Sequence, residues 1–317
     1  MRPIFFLCLS FFFMSHTAFA ASASMRAPLA SQQLHPIMMR FFNPIPVSAF
    51  DMGNSIELEQ HYASLNMFDA VPNGRFLVDT ELYVPILHVR RQLSPKHIVS
   101  LRIPLYRPYN GVLDGFLNNY HRLAGLPNNG REFRPKNQMA YYLKPQWSAE
   151  NRWEMGNISL EIQSQVYKKN SVAIALLASA KLPTSSKTRG WSSGKADFSL
   201  GTVFSWHGDD YFAHSELRAI YTGAKSEGSM QYQHYVRASA TLGRDFGKHY
   251  SVLVQIQGGS SPYQSQLYVL EQNPWIMNFG LRIQGESALY TLSFSENITQ
   301  YTTADFSFGF HVRWLMD

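Results

Sequence analysis

The chain has 317 residues, 45% hydrophobic and 14% aromatic, yet only 16% are charged and the formal net charge is +6. Soluble domains carry about 25% charged residues, so this composition argues against an ordinary soluble domain. The modest basic excess suits lipid phosphates or anionic solutes as neighbours; no basic helix or aromatic stacking motif supports nucleic acid.

The first residues read as a secretory leader. Arg2 supplies a positive n-region, Ile4 to Met14 an apolar core, and Ala18-Phe19-Ala20 a small-x-small cleavage site, so residues 1–20 are set aside as a signal peptide. The single cysteine, Cys8, falls inside it, and a mature chain without thiols has no disulfide, cysteine-ligated zinc or cysteine nucleophile. No later stretch approaches about 18 consecutive apolar residues, which excludes a membrane-spanning helix but not a barrel. Residues 21–54 hold Pro28, Pro36, Pro44 and Pro46 without strand periodicity, and are expected as an irregular N-terminal arm or a partial plug.

From Ser55 onward, apolar and polar residues alternate with the period of two that marks half-buried strands. Strands are expected at Ser55–Asn66, Arg75–Val89, His97–Leu105, Asn157–Tyr167, Ser171–Leu182, Ala196–Trp206 and Tyr211–Tyr221. Gln231–Leu242, Tyr250–Gly258, Ile276–Gln284, Ala288–Glu296 and a final strand over Ala304–Trp314 continue the pattern, with a weaker segment at Gln138–Lys144. Short polar turns (Lys168-Lys169-Asn170, Gly208-Asp209-Asp210, a corner at Gly243–Lys248, Gly285-Glu286-Ser287) alternate with long loops. That asymmetry, with Trp206, Tyr211, Phe212, Phe246, Tyr250 and Trp314 near the turns as an aromatic girdle, is the pattern of outer-membrane barrels. The expected fold is therefore all-β: an antiparallel transmembrane β-barrel over residues 55–317. Bacterial barrels have even strand numbers, so one early segment does not span and leaves about 12 strands, or an extra segment makes 14. In the last strand, Phe306, Phe308, Phe310, Val312 and Trp314 form one apolar face. Ser307, Gly309, Val312 and Trp314 resemble the C-terminal signal read by the barrel-insertion machinery.

Residues 106–136 interrupt the alternation. Leu113, Phe116, Leu117, Tyr120 and Ala124 recur at helical spacing, Gly125 stands where a C-cap glycine belongs and Pro127 follows, which predicts a short helical insertion at 111–125 packed under or into the barrel. Gly111-Val112-Leu113-Asp114-Gly115-Phe116-Leu117, Tyr120-His121, Gly125-Leu126-Pro127 and Gly130-Arg131 resemble the signature of the bacterial family known as domain of unknown function 3187. Asn43-Pro44 and Leu182-Pro183-Thr184 are similar to further family features. The resemblance implies an outer-membrane-type barrel and brings no activity with it.

The polar strand faces place Arg102, Glu161, Glu216, Arg218, Arg237, Arg282 and Arg313 in the lumen, five arginines against two glutamates, with Lys181, Lys187, Arg189 and Lys195 at the outer mouth. Cation rings select anions. The expected function is a narrow pore or transporter for small anionic or amphipathic solutes in the outer membrane of a Gram-negative bacterium, in contact with lipid and lipopolysaccharide. A non-conducting structural or interaction barrel is the alternative. An outer-membrane lipid hydrolase comes third, because His249-Tyr250-Ser251 lacks a following Asn and no Gly-x-Ser-x-Gly elbow exists. No catalytic residue, cofactor or metal site is read from the sequence: His207-Gly208-Asp209-Asp210 reads as a turn, and His214, Glu216 and Arg218 as a lumenal row.

Overall fold

The computed structural model describes residues 23–68, 76–125, 135–143, 147–228, 230–265, 267–299 and 302–316. The proposed signal peptide lies outside them. Twelve strands span: β1 (Asn54–Phe68), β2 (Phe76–Ser94), β3 (His97–Tyr109), β4 (Ser159–Lys169), β5 (Val172–Lys181) and β6 (Asp197–His207) form one half. The other half is β7 (Tyr211–Tyr221), β8 (Tyr235–Phe246), β9 (Tyr250–Gly259), β10 (Trp275–Gln284), β11 (Ala288–Asn297) and β12 (Phe306–Met316). Each pairs antiparallel with its sequence neighbour, and β12 returns to β1 through Asn54↔Met316 to Ser64↔Phe306, which closes the ladder. Closure leaves no free edge, the condition for a sheet to cross a membrane. The strand-like segment near residue 140 is a four-residue piece, Ala140–Leu143, paired to the start of β2. It does not span, which resolves the parity in favour of twelve.

Alternation sets the two faces. In β12, Ser307, Gly309, His311 and Arg313 are buried while Phe306, Phe308, Phe310, Val312 and Trp314 face outward. Leu200, Leu217, Leu242, Val254, Phe279 and Leu292 are likewise exposed around the wall, an apolar belt that would be a liability in water and is a match for lipid. Trp206, Tyr211, Phe246 and Tyr250 ring the turn end on the outside, and the Arg244 guanidinium lies over the Tyr211 and Phe246 rings at 5.2 and 5.0 Å. Phe212 is an exception to the expected girdle. It points inward and is fully buried, and Gly243 lies beside it.

That contact explains a misplaced boundary. Gly243 and its neighbours are expected at a corner, but β8 runs on to Phe246 and turns at Gly247, whose φ is +69°. A Cβ on Gly243 would overlap the Phe212 ring, so this glycine marks a close approach inside a strand. The tight turn after β4 uses Asn170 at φ +50°, a left-handed position that Asn tolerates.

The insertion forms a helix, α2 (Asp114–Ala124), following the short α1 (Pro36–Met39) of the arm. Gly125 ends α2 in the left-handed region at φ 69°. Glu81, on the outward-facing parity of β2, accepts from the backbone N–H groups of Val112 and Leu113 at 2.8 and 2.5 Å. Phe116 meets the outward Phe306 ring at 6.3 Å, and His121 approaches Glu296 of β11 at 3.9 Å. The helix therefore packs against the outer face of the wall at the loop end. It does not enter the barrel, because Phe116 of its apolar stripe meets Phe306 on the lipid-facing parity of β12.

Candidate functional site

The lumen is filled by the N-terminal arm. Residues 23–53 run from the turn end up to the loop end and back down to β1. Four prolines rule out regular pairing, so wall side chains satisfy the arm backbone instead. On the ascending leg, the Gln255 side chain accepts from Leu29 N–H at 3.0 Å and donates to Leu29 C=O at 3.2 Å and Ser31 Oγ at 3.0 Å. The Leu29 side chain lies over Gly280, where a Cβ would collide with it. On the descending leg, Glu216 accepts from Val47 N–H at 3.1 Å and Ser205 Oγ from Ala49 N–H at 2.9 Å. Gln163 and Gln165 donate to the carbonyls of Ser48 and Ala49 at 2.8 and 2.6 Å.

Charged groups fasten the arm at both of its ends. Arg282 of β10 points its guanidinium at the arm's first residues: Nη1 donates to the carbonyls of Ser24 (3.3 Å), Met25 (2.9 Å) and Ala27 (2.6 Å), and Nη2 to Pro28 (3.0 Å). Asp51, where the arm joins β1, is gripped by Arg90 and Arg313, the latter at 2.7 Å, and accepts from Ser24 Oγ at 3.0 Å, so the two ends of the arm are tied together. Burial alone would raise the Asp51 carboxyl; Arg313 and Arg90 outweigh it and hold it well below the usual range. Arg26 reaches from the arm to Asp245 at 2.6 Å and to the Gly208 carbonyl at 2.7 Å, at the turn rim.

The loop end is sealed differently. Leu34, Ile37, Met38, Met39, Phe41 and Phe42 of the arm pack with inward residues of β1 and β2 and with loop residues such as Trp191, Tyr232 and Tyr263 in one apolar cluster. Phe41 makes edge contacts with Tyr232 and Tyr263 at centroid distances of 4.9 and 5.3 Å. Within it, Arg40 pairs with Glu227, and Lys181 with Asp197 at 3.0 Å. Lys181 is thus a buried latch to the arm, also donating to the Arg40 carbonyl at 3.1 Å, and not a cation of the outer mouth.

All seven lumen residues read from the alternation point inward, but they do different things. Arg218 bridges Glu161 and Glu216 and donates to the arm carbonyl of Ile45 at 3.1 Å. Arg102 joins Glu59 at 2.6 Å and Gln32 of the arm at 3.1 Å. Arg313 and Arg282 hold the arm as described, while Arg237 lies over the Tyr235 ring at 5.5 Å. The expected excess of five arginines over two glutamates is not what the plugged lumen contains. Asp51, Glu57, Glu59 and Asp197 are also buried there, as are Arg90, Lys181 and the histidines His61, His88 and His311. Glu57, Glu59 and His61 alternate on one strand face, the same signal that revealed Glu216 and Arg218, so this row was open to sequence reasoning. Asp51 was not: it lies in the irregular arm and carries no period.

Of the insertion signature, Gly111 (φ +75°) packs against the Glu81 carboxylate, Asp114 accepts from Asn137 N–H at 2.6 Å, Gly115 lies in the first turn of α2, Phe116 and His121 face the wall, and Gly125 caps the helix. Leu126, Pro127, Gly130 and Arg131 fall outside the described residues. In the proposed assembly signal, Ser307 and Gly309 face inward, Val312 and Trp314 outward. Ser251 donates to Asp245 at 2.6 Å at the turn end.

A family model described as "Protein of unknown function (DUF3187)" matches residues 4–314. No curated protein matches the sequence significantly. Among solved structures, the COG4313 outer membrane channel from Pseudomonas putida F1 is similar with a TM-score of 0.55 at 10% identity, covering 84% of this chain and 96% of that one. The KdgM porin gives 0.46 at 6% identity over 83% and 99% of the two chains. The toluene transporter TodX of P. putida gives 0.43 at 9% over 83% and 88%. The first of these carries the similarity, and at such identity it is a similarity of fold.

Proposed function

This chain belongs to the DUF3187 family of proteins of unknown function, and we propose that it is a plugged outer-membrane channel for small solutes. The observation that carries this reading is what blocks the lumen. It is a chain-terminal arm on hydrogen bonds and ion pairs, attached to the barrel at one end through Asp51 and Gly53. A wall built only for structure could fill itself with its own side chains; here a separable segment does so. Both ends of the arm lie at the turn end, assigned to the periplasm, so withdrawal in that direction opens the path without breaking the wall.

Solute preference follows from what withdrawal uncovers. Arg282 loses its carbonyls, Arg218 loses the Ile45 carbonyl, Arg102 loses Gln32, and Arg237 has no carboxylate partner among the described residues. The emptied lumen then favours small anionic or amphipathic solutes. Outer-membrane lipid and lipopolysaccharide meet the apolar belt, and Ser307, Gly309, Val312 and Trp314 address the chain to the insertion machinery. No chemistry on the solute is invoked.

Conductance of purified protein in planar bilayers tests this. The chain lacking residues 21–46 should conduct in discrete steps, and the intact mature chain should be mostly silent. Anions should be preferred over cations of similar size, less so at high salt, because the Debye length falls from about 10 Å at 0.1 M to about 3 Å at 1 M. Deleting residues 111–130 should leave conductance unchanged, since α2 lies outside the wall. A truncated barrel that is folded but silent would end the channel reading in favour of a structural or docking barrel.

A further inference from the structure

We infer that the lumen wall holds a binding site for a divalent transition-metal ion of the zinc class, formed by Glu57, Glu59 and His88. The strand register brings these residues together. Glu57 lies opposite His88 on β2, and His88 lies opposite Arg102 on β3, while β12 sets His311 opposite Glu59. One ligand atom from each of Glu57, Glu59 and His88 lies within 4.8 Å of the others, and all three side chains are buried.

The orientation of the groups argues for an ion beyond mere proximity. His88 Nδ1 is 3.4 Å from Glu59 Oε1 and 3.9 Å from a Glu57 oxygen, Oε2. Apart from each other, neither His88 Nδ1 nor Glu59 Oε1 has a polar partner within hydrogen-bonding geometry among the described residues, although both are buried. The second oxygen of each carboxylate is held from behind. Arg102 donates to Glu59 Oε2 at 2.6 Å with His61 Nε2 at 3.4 Å, and His311 Nδ1 is 3.4 Å from Glu57 Oε1. Each glutamate is thus fixed by one oxygen and presents the other toward His88. Metal-binding carboxylates are oriented by outer partners in this way.

The spacing fits a small ion. Tetrahedral ligands at about 2.0–2.2 Å from zinc lie about 3.3–3.6 Å apart, close to the 3.4 Å separation and within a small adjustment of the 3.9 Å one. A cavity of about 40 Å³ lined by Glu57 and His88, among others, leaves room for a water as the remaining ligand. One imidazole with two carboxylates suits zinc and its neighbours in the first transition row better than calcium or magnesium, which take oxygen ligands. A protonated His88 paired with both glutamates is the competing explanation, and it requires no metal affinity.

The site does not depend on whether the barrel conducts. The test is zinc titration of purified, chelator-treated protein in detergent, by calorimetry and by metal analysis after gel filtration, with cobalt absorption as a report on the ligand field. Wild type should bind one more ion per chain than His88→Ala, and that ion should bind at least 100-fold more weakly in Glu59→Gln. Glu59→Gln keeps the shape of the carboxylate, so it covers the case in which His88→Ala fails to fold. Both variants are checked by the heat-dependent gel mobility of a closed barrel. Histidines outside the site, such as His97 at the start of β3 and His249 in a turn, remain in every variant and subtract out. Equal stoichiometry and affinity in wild type and a folded variant would overturn the proposal, as would failure of wild type to bind zinc during refolding in its presence.

Discussion

Replacing Arg282 by Gln should loosen the arm without dismantling the barrel. The guanidinium sends Nη1 to three carbonyls and Nη2 to a fourth, all in residues 24–28. Hydrogen bonds from a charged donor contribute roughly 1.5–3 kcal/mol each. Nη1 has two hydrogens to divide among three acceptors, so the set counts as two to three full bonds, and Gln restores about one. The net loss is about 3–5 kcal/mol, also the range for breaking a buried charge network. At about 1.4 kcal/mol per factor of ten, the displaced state becomes about 100- to 4,000-fold more populated. The absence of other cysteines from a chain cleaved after Ala20 gives a direct assay. Ser31→Cys places one thiol on the buried ascending leg, 3% exposed. Its rate of maleimide labelling should rise by about that factor in Ser31→Cys/Arg282→Gln over Ser31→Cys alone, while heat-dependent gel mobility stays the same. Rates within threefold of each other, with the barrel intact, would refute the claim that Arg282 retains the arm.

Val254 is 40% exposed on the lipid face and Gln255 is fully buried against the arm, so Val254→Arg should lower folded yield, at about 2–4 kcal/mol for a cation at the bilayer midplane. Gln255→Ala should instead raise Ser31→Cys labelling with little effect on yield. His35 is buried with both ring nitrogens unpartnered among the described residues, and burial pushes its pKa down from 6.5 to about 3. Protonation therefore favours the displaced arm: stability is lost as pH falls below 6.5, and labelling should rise toward about 100-fold at pH 4.5 relative to a His35→Gln background. Asp51 has a depressed pKa, so its latch is complete above the ordinary 3.8 and persists through that same window. Gly243→Val would drive a side chain into the Phe212 ring, and overpacking of this kind destabilises by about 1–3 kcal/mol. The urea midpoint should fall and recover in part with Phe212→Ala, a recovery that a turn glycine would not show.

The sequence by itself determined the wall. Alternation with a period of two carries its own geometry, because successive side chains must point to opposite faces. The inward row of Ser307, Gly309, His311 and Arg313 and the outward row of Phe306 to Trp314 could be read directly. Tertiary structure decided everything without a period. Asp51, Arg26 and the backbone of residues 24–28 have no sequence signal for meeting Arg90 and Arg313, Asp245, and Arg282 respectively, since these partners are more than thirty residues away. Gly243 reads as a turn until Phe212 is seen beside it. The helical spacing in residues 113–124 gave the helix but not its side of the wall, which Phe306 and Glu81 settle. Likewise Glu57, Glu59 and His88 become one site only through the register of β1 against β2. A local pattern records which face a residue takes, whereas what fills the space behind that face depends on contacts between segments that the chain brings together only on folding.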